Sequence, residues 1–389
     1  MKHLILFLLL LPAYATAQVE RPPQYVSLAF DGSKSTEMWK STLDFAARND
    51  VKFTYFVSSV YFIDNGNKRT YVAPKLGAGK SAIGFGGTAA DIKARNSWME
   101  KAIAQGHEMA GHANGHFDGG KWSLTDWLNE LAQFQLFMFE APNYGGVKNL
   151  KLWDYAYSNP NFGFRAPQLG HNANMFKALK SSGYKYDTSK IKRMDQWPVK
   201  NSEGLWEFAL AGIKLSRSGK STASMDYNLY VAQSGGVKGN SKNFQAWEDE
   251  VFETYMNYFK NNYLGNRAPI DIGHHFSLWN GGIYWNAMQR FAQTVCNLPE
   301  VVCGTYQDLL SFVEKKSSST LNAYQAGNFK KMSSNAMPAI LHRTSTVNHT
   351  GELNAKELDI LQHQLCPPEA HDEDSEEIKF VPSLGTLEI

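Results

Sequence analysis

Two histidines, His112 and His116, stand four residues apart in the stretch "GHEMAGHANGHFDGG", with His107 just before them. That spacing brings two rings to one side of a helical turn or tight loop, where they can pinch a metal ion, although a satisfied polar turn uses the same residues. Other reactive groups are spread along the chain: Asp31 in "AFDGS", Arg165 in "FGFRAP", and His274 and His275 in "APIDIGHH". Two neutral imidazoles and a carboxylate hold Zn2+ or another divalent metal with one position open, a set suited to hydrolysis. Asp118 is a further carboxylate close to His116, though "FDGG" reads more simply as a turn. His107 reads as structural, at the start of the segment that feeds His112.

The elements that must position these groups alternate between strand and helix. "YVSLAF" (25–30) reads as a buried strand, "STEMWKSTLDFAARND" as a helix and "VKFTYFVSSVYF" (51–62) as a second β-rich run. "SWMEKAIAQG" reads as a helix leading to the strand "HEMAGH", and "SLTDWLNELAQFQLFMFEA" opens with Ser123 and Asp126 in a capping arrangement. Then follow "FGFRAP" as a strand, "NANMFKALKSSG" as a helix, "YKYDTS" and "GLWEFALAG" as strands, "FQAWEDEVFETYMNYFKNNY" as a helix, "APIDIGHH" as a strand and "YWNAMQRFAQTV" as a helix. Such alternation predicts an α/β fold whose parallel sheet closes into a barrel, with reactive residues at the strand ends. Four predicted strands do end in them: at Asp31, at His112 and His116, at Arg165, and at His274 and His275. The glycine- and lysine-rich stretch 65–96 reads as a surface insertion over one end of the barrel. Its "GAGKSAIG" lacks the spacer of a phosphate loop.

The chain opens with "MKHLILFLLLLPAYATAQ", in which a lysine, a short apolar run and a small-residue site predict a signal peptide over 1–17. The mature protein is then expected to start at Gln18 and to be secreted or periplasmic. A net charge of +2 gives no electrostatic case for nucleic acid, and no later apolar run suggests membrane insertion. Of three cysteines, Cys296 and Cys303 are the expected disulfide and Cys366 is left over. From about 316 the periodicity fades, so 18–315 is the expected barrel and 316–389 a partly disordered extension.

In order and spacing, the motifs resemble those of the polysaccharide deacetylases of carbohydrate esterase family 4, over roughly 24–315. "AFDGS" is similar to that family's TFDDG, "HANGH" (112–116) to its metal-binding H-x-x-x-H, "RAPQ" (165–168) to its R-x-P and "IGHH" (272–275) to its leucine-x-histidine motif. The resemblance implies a distorted (β/α) barrel of about seven strands, a bound divalent metal, usually zinc, and hydrolysis of N-acetyl groups on amino sugars. It implies His112, His116 and a carboxylate as metal ligands, a carboxylate base, and a histidine acid for which His275 is preferred over His274.

One departure matters: where the family has two aspartates, this chain has Asp31 followed by Gly32. Asp31 is then either the base, with another group completing the metal shell, or the metal ligand; in a third reading the site is inactive. Arg165 orients the base through a carboxylate pair or serves as a structural salt bridge. Asp226 is the candidate for the fourth-motif aspartate as partner of Arg165, with Asp187 as competitor. Gln168 replaces the family's usual aromatic, and Trp206, Trp279 and Trp285 are either sugar platforms or core. The expected substrate is an N-acetylglucosamine polysaccharide, peptidoglycan before chitin. The alternatives are a catalytically inactive glycan-binding barrel and a deacetylase of a small acylated molecule.

Overall fold

The computed structural model describes residues 19–139, 162–332 and 353–362. The expected signal peptide, Cys366 and the acidic end of the chain lie outside them. Seven strands run parallel in one curled sheet: β1 (Gln24–Gly32), β2 (Phe53–Val57), β3 (Glu108–Gly111), β4 (Gly163–Phe164), β5 (Tyr186–Asp187), β6 (Trp206–Glu207) and β7 (Ile270–His275). Their order is sequential from β1 to β6, and β7 returns to pair with β1. That is the order of a (β/α) barrel with a gap between β6 and β7. The three-stranded sheet of Ile191–Arg193, Leu210–Lys214 and Ser221–Ala223 occupies the gap. There Gly273 N donates to Ser224 O (2.9 Å), and Ser224 Oγ donates to Asp271 O (2.6 Å).

Helices cover the outside. They are α1 (Thr36–Asn49), α2 (Ala89–Ala104), α3 (Leu124–Phe139), α4 (Ala173–Ser181), α5 (Asp226–Ser234), α6 (Phe244–Leu264), α7 (Trp279–Val295), α8 (Tyr306–Glu314), α9 (Ser318–Gln325) and α10 (Ala355–Gln362). Strand alternation sorts the side chains between the two faces. Val26, Leu28 and Phe30 of β1 pack outward with Phe53, Tyr55, Ile270 and Ile272 under the helices, while Ala29, Phe56 and Ala110 face inward with Tyr186, Phe208 and Tyr306. Asp31 follows Ala29 by two residues and so shares its inward face.

Several local expectations are corrected. The run 51–62 is not one strand: β2 stops at Val57 and 59–62 is a 3-10 turn, because Ser59 N donates to Ala113 O (3.0 Å) instead of extending the ladder. The insertion 65–96 already contains the first half of α2, which starts early because Thr88 and Asp91 form a capping box. "GLWEFALAG" splits between β6 and the strand in the gap. Helix α7 begins at Trp279, ahead of its apolar periodicity, through three left-handed residues, Asn280, Gly281 and Gly282. Cys296 and Cys303 are bonded, joining the end of α7 to Val301–Cys303, a strand that pairs with β1. Within 316–389, α10 lays Leu358 and Leu361, with Leu353 just before it, on Ile191, Leu210, Ala223 and Met225. No described helix is long and apolar enough to cross a membrane.

Candidate active site

His112 immediately follows β3, and 112–116 is a tight loop rather than a helical turn, with left-handed backbone at Ala113 and His116. The loop is held from behind. His112 N donates to Val57 O (2.9 Å), Asn114 N donates to Glu130 Oε1 (3.1 Å), Asn114 Nδ2 donates to Glu130 O (2.8 Å), and Gln168 Nε2 donates to His116 O (3.0 Å). Tyr71, from the insertion, donates to the Glu130 carboxyl (3.1 Å) and accepts from Gly115 N (3.3 Å). The insertion therefore braces the histidine loop.

Both histidines are buried, with ring centroids 5.1 Å apart. His112 Nδ1–H donates to Arg165 O (2.8 Å), which fixes the tautomer and leaves Nε2 as a lone pair. That Nε2 and both ring nitrogens of His116 are buried without a hydrogen-bond partner. Burial pushes the His112 imidazole down to about 3 and His116 well below its ordinary value, so both are neutral. Buried unpaired polar atoms are costly, and neutral imidazoles with free lone pairs are the form that binds metal. The electrostatic neighbours of His116 are His112, His275 and Asp31.

Asp31, at the end of β1, accepts from Arg165 Nη1 through Oδ1 (2.7 Å). The guanidinium is fully buried and held on every side. Its Nε donates to Thr188 Oγ1 (2.8 Å), its Nη2 donates to Tyr306 Oη (3.2 Å), and it lies 4.3 Å from the Phe56 ring centroid. Burial disfavours its charge, but Asp31, Tyr306 and the Asp31 hydrogen bond outweigh that and hold its pKa above the ordinary value. Gly273 leaves room for it: a Cβ there would sit 2.8 Å from Met225 Cε and 3.0 Å from Arg165 Nη1.

His275 is the register partner of Asp31 on β7. Its Nδ1–H donates to Asp226 Oδ1 (2.7 Å) and its backbone N donates to Asp226 Oδ2 (2.8 Å). Burial pushes the Asp226 carboxyl up, but His275, His274 and these hydrogen bonds bring it below its ordinary value, so it stays ionised. This corrects the assignment of Asp226, and of its competitor Asp187, to Arg165: the carboxylate on Arg165 is Asp31, and Asp226 serves His275. Asp187 instead accepts from Ser189 N (3.0 Å) and Ser189 Oγ (2.6 Å).

The remaining candidates fall elsewhere. His274 points to the outward face, with Nε2 2.9 Å from the Tyr255 hydroxyl. His107 Nδ1 accepts from Phe53 N (2.9 Å) and stacks on that ring. Asp118 is exposed and closes a turn by accepting from Gly120 N (2.8 Å). Trp285 is core, bonded to Ser41, and Trp206 is buried against Phe208. Trp279 is half-buried, parallel to Tyr230 at 5.4 Å and 5.3 Å from the His275 ring. Tyr306, Thr188 and Glu130 support the site and lie in no motif, and Gly273 supports it from within "IGHH".

His112 and His116 thus fit two ligand positions of one metal. Among the described residues no group of three histidine, cysteine, aspartate or glutamate side chains stands close enough to hold a metal by itself. Gly32, which occupies the place of a second aspartate, has φ +99°, a backbone state that disfavours a side chain.

No family profile and no curated protein matches this chain. Solved structures of similar course include a putative polysaccharide deacetylase from Mycobacterium smegmatis, 13% identical over 76% of this chain and 95% of that one, with a TM-score of 0.47. A probable polysaccharide deacetylase from Pseudomonas aeruginosa PAO1 is 11% identical over 75% and 91%, with a TM-score of 0.45. A CE4 family pseudoenzyme from Bacillus anthracis is 11% identical over 74% and 66%, with a TM-score of 0.38. The solved structures this chain is similar to thus include polysaccharide deacetylases and a CE4 family pseudoenzyme.

Proposed function

We propose that this protein is a secreted or periplasmic, metal-dependent deacetylase that hydrolyses N-acetyl groups of N-acetylglucosamine-containing polysaccharide, peptidoglycan before chitin. The observation that carries this reading is the pair of buried imidazoles with unpartnered nitrogens, sharing one site with the Asp31–Arg165 and Asp226–His275 pairs. A divalent metal such as Zn2+, held by His112 and His116, would supply a polarised acetyl carbonyl and an acidified water. Asp31, fixed by Arg165, takes the proton of the attacking water. His275, with Nδ1–H committed to Asp226, presents Nε2 to the leaving nitrogen and delivers a proton as the C–N bond breaks. The products are acetate and the free amine of the sugar.

Gly32 favours a second reading, a glycan-binding barrel without turnover. Acetate released from N-acetylated peptidoglycan or chitin with added Zn2+, and lost with chelator, supports the enzyme. Glycan binding with no acetate under either condition supports the inactive barrel.

A further inference from the structure

The loop 165–172 begins and ends in different surroundings. At Arg165 it enters the site, and midway Gln168 ties it to His116 O. At its far end His171 and Asn172 wall a cavity of about 500 Å³, completed by Phe176, Lys190, Asn201 and Glu207 among others. Glu207 ends β6 and Lys190 follows β5, so the cavity adjoins the carboxyl ends of the two strands beyond β4, which leads to Arg165. In a parallel barrel that is the face where loops gather around ligands.

The lining is chemically mixed. Asn201 Nδ2 is a buried donor with no partner in the structure, its Oδ1 being taken by the backbone N–H of Glu203 and Leu205. His171 Nδ1–H donates to Leu169 O (2.8 Å), which leaves Nε2 as an acceptor. Glu207 accepts from Lys190 and from Lys192 (2.7 Å), presenting a charged pair, and Phe176 adds an apolar ring. The volume lies in the range of roughly 300–1,000 Å³ typical of small-ligand sites. Donors, acceptors and one apolar face in such a volume suit a hydroxyl-rich ring.

We propose that this cavity is a distal saccharide subsite, which grips a sugar of the polymer remote from the one whose acetyl group reacts. The proposal rests on the deacetylase reading and adds why a polymer is preferred to a short acylated sugar. The wall also reaches the histidine loop. Asn172 Nδ2 donates to Gly120 O (3.0 Å) and Trp122 O (2.9 Å), so the cavity wall is tied to the segment that follows the two imidazoles.

The test compares long and short N-acetylglucosamine oligosaccharides on the full chain, wild type, His171→Ala and Ser202→Trp. Ser202 lies on the cavity's exposed rim, where a tryptophan fills space without removing an observed hydrogen bond. Affinity is read by calorimetry and acetate release is followed in parallel. The expected result is an affinity advantage of long over short oligosaccharide in wild type that falls by about tenfold in both variants, as the loss of one well-bonded sugar would give. An advantage as large in both variants as in wild type, or none in wild type, overturns the subsite. Length-dependent binding that collapses in the variants with no acetate released by any form overturns the deacetylase reading and leaves the subsite standing.

Discussion

Asp31 and His275 are register partners on the adjacent parallel strands β1 and β7, and each carries one dedicated buried partner of opposite kind, Arg165 and Asp226. Pairing in register sets both side chains on the same inward face, and the partners separate their roles. A cation beside Asp31 holds an acceptor, while an anion beside His275 favours the imidazolium that can give up a proton.

The Asp226–His275 pair makes the first prediction. Asp226→Asn removes the charge that favours the imidazolium and the acceptor that fixes the tautomer. With an acetylated oligosaccharide, kcat is expected to fall by about 10²–10⁴-fold with KM little changed. The alkaline limb of the pH–rate profile should move to lower pH. A profile that keeps its alkaline limb in place would remove His275 from the acid role.

Tyr306 acts through Arg165 and is a positioning residue. Tyr306→Phe takes away the acceptor of Nη2 while keeping the ring that packs on Tyr186 and Phe208. One buried hydrogen bond to a charged group is worth about 1.5–3 kcal/mol, so a loss of roughly tenfold or more in kcat is expected, with KM and fold retained. A rise in KM at unchanged kcat would place Tyr306 in substrate binding instead.

His107 yields a stability prediction. Burial, helped by the nearby charge of Lys52, pushes its imidazole down to about 4, whereas the unfolded chain protonates it near 6.5. Its contribution is therefore complete above about pH 6.5 and is lost as pH falls toward 4, on the order of 3 kcal/mol in all. Glu108, pushed up to about 7 by burial, has the opposite sign and loses its contribution as pH rises from its ordinary value of 4.5 toward 7. Urea unfolding of wild type and His107→Gln at several pH values isolates the first effect: the variant should lose less stability between pH 6.5 and 4. Parallel curves would contradict it.

What could be read in the sequence was local. His112 and His116 sit in one loop after one strand, and Asp31 and His275 end strands whose alternation fixes which face they take. Arg165 reaches Asp31 across 134 residues of chain and Tyr306 across 141, contacts that depend on how the sheet curls and on which helix plugs it. Sequence spacing therefore misplaces the partner of Asp226 and carries no sign of Tyr306, which lies in no motif. The early start of α7 was hidden for another reason: three left-handed residues open it, and apolar periodicity carries no trace of them.

The central claim is that His112 and His116 hold a divalent metal in a catalytic site. Its most direct measurement is zinc content, after dialysis, of the full chain as wild type and as the double variant His112→Ala/His116→Ala, with acetate release assayed on the same samples. About one equivalent of zinc and chelator-sensitive acetate release in wild type, both absent from the variant, is the expected result. Wild type free of metal after zinc loading, or a variant that retains zinc and turnover, would contradict it.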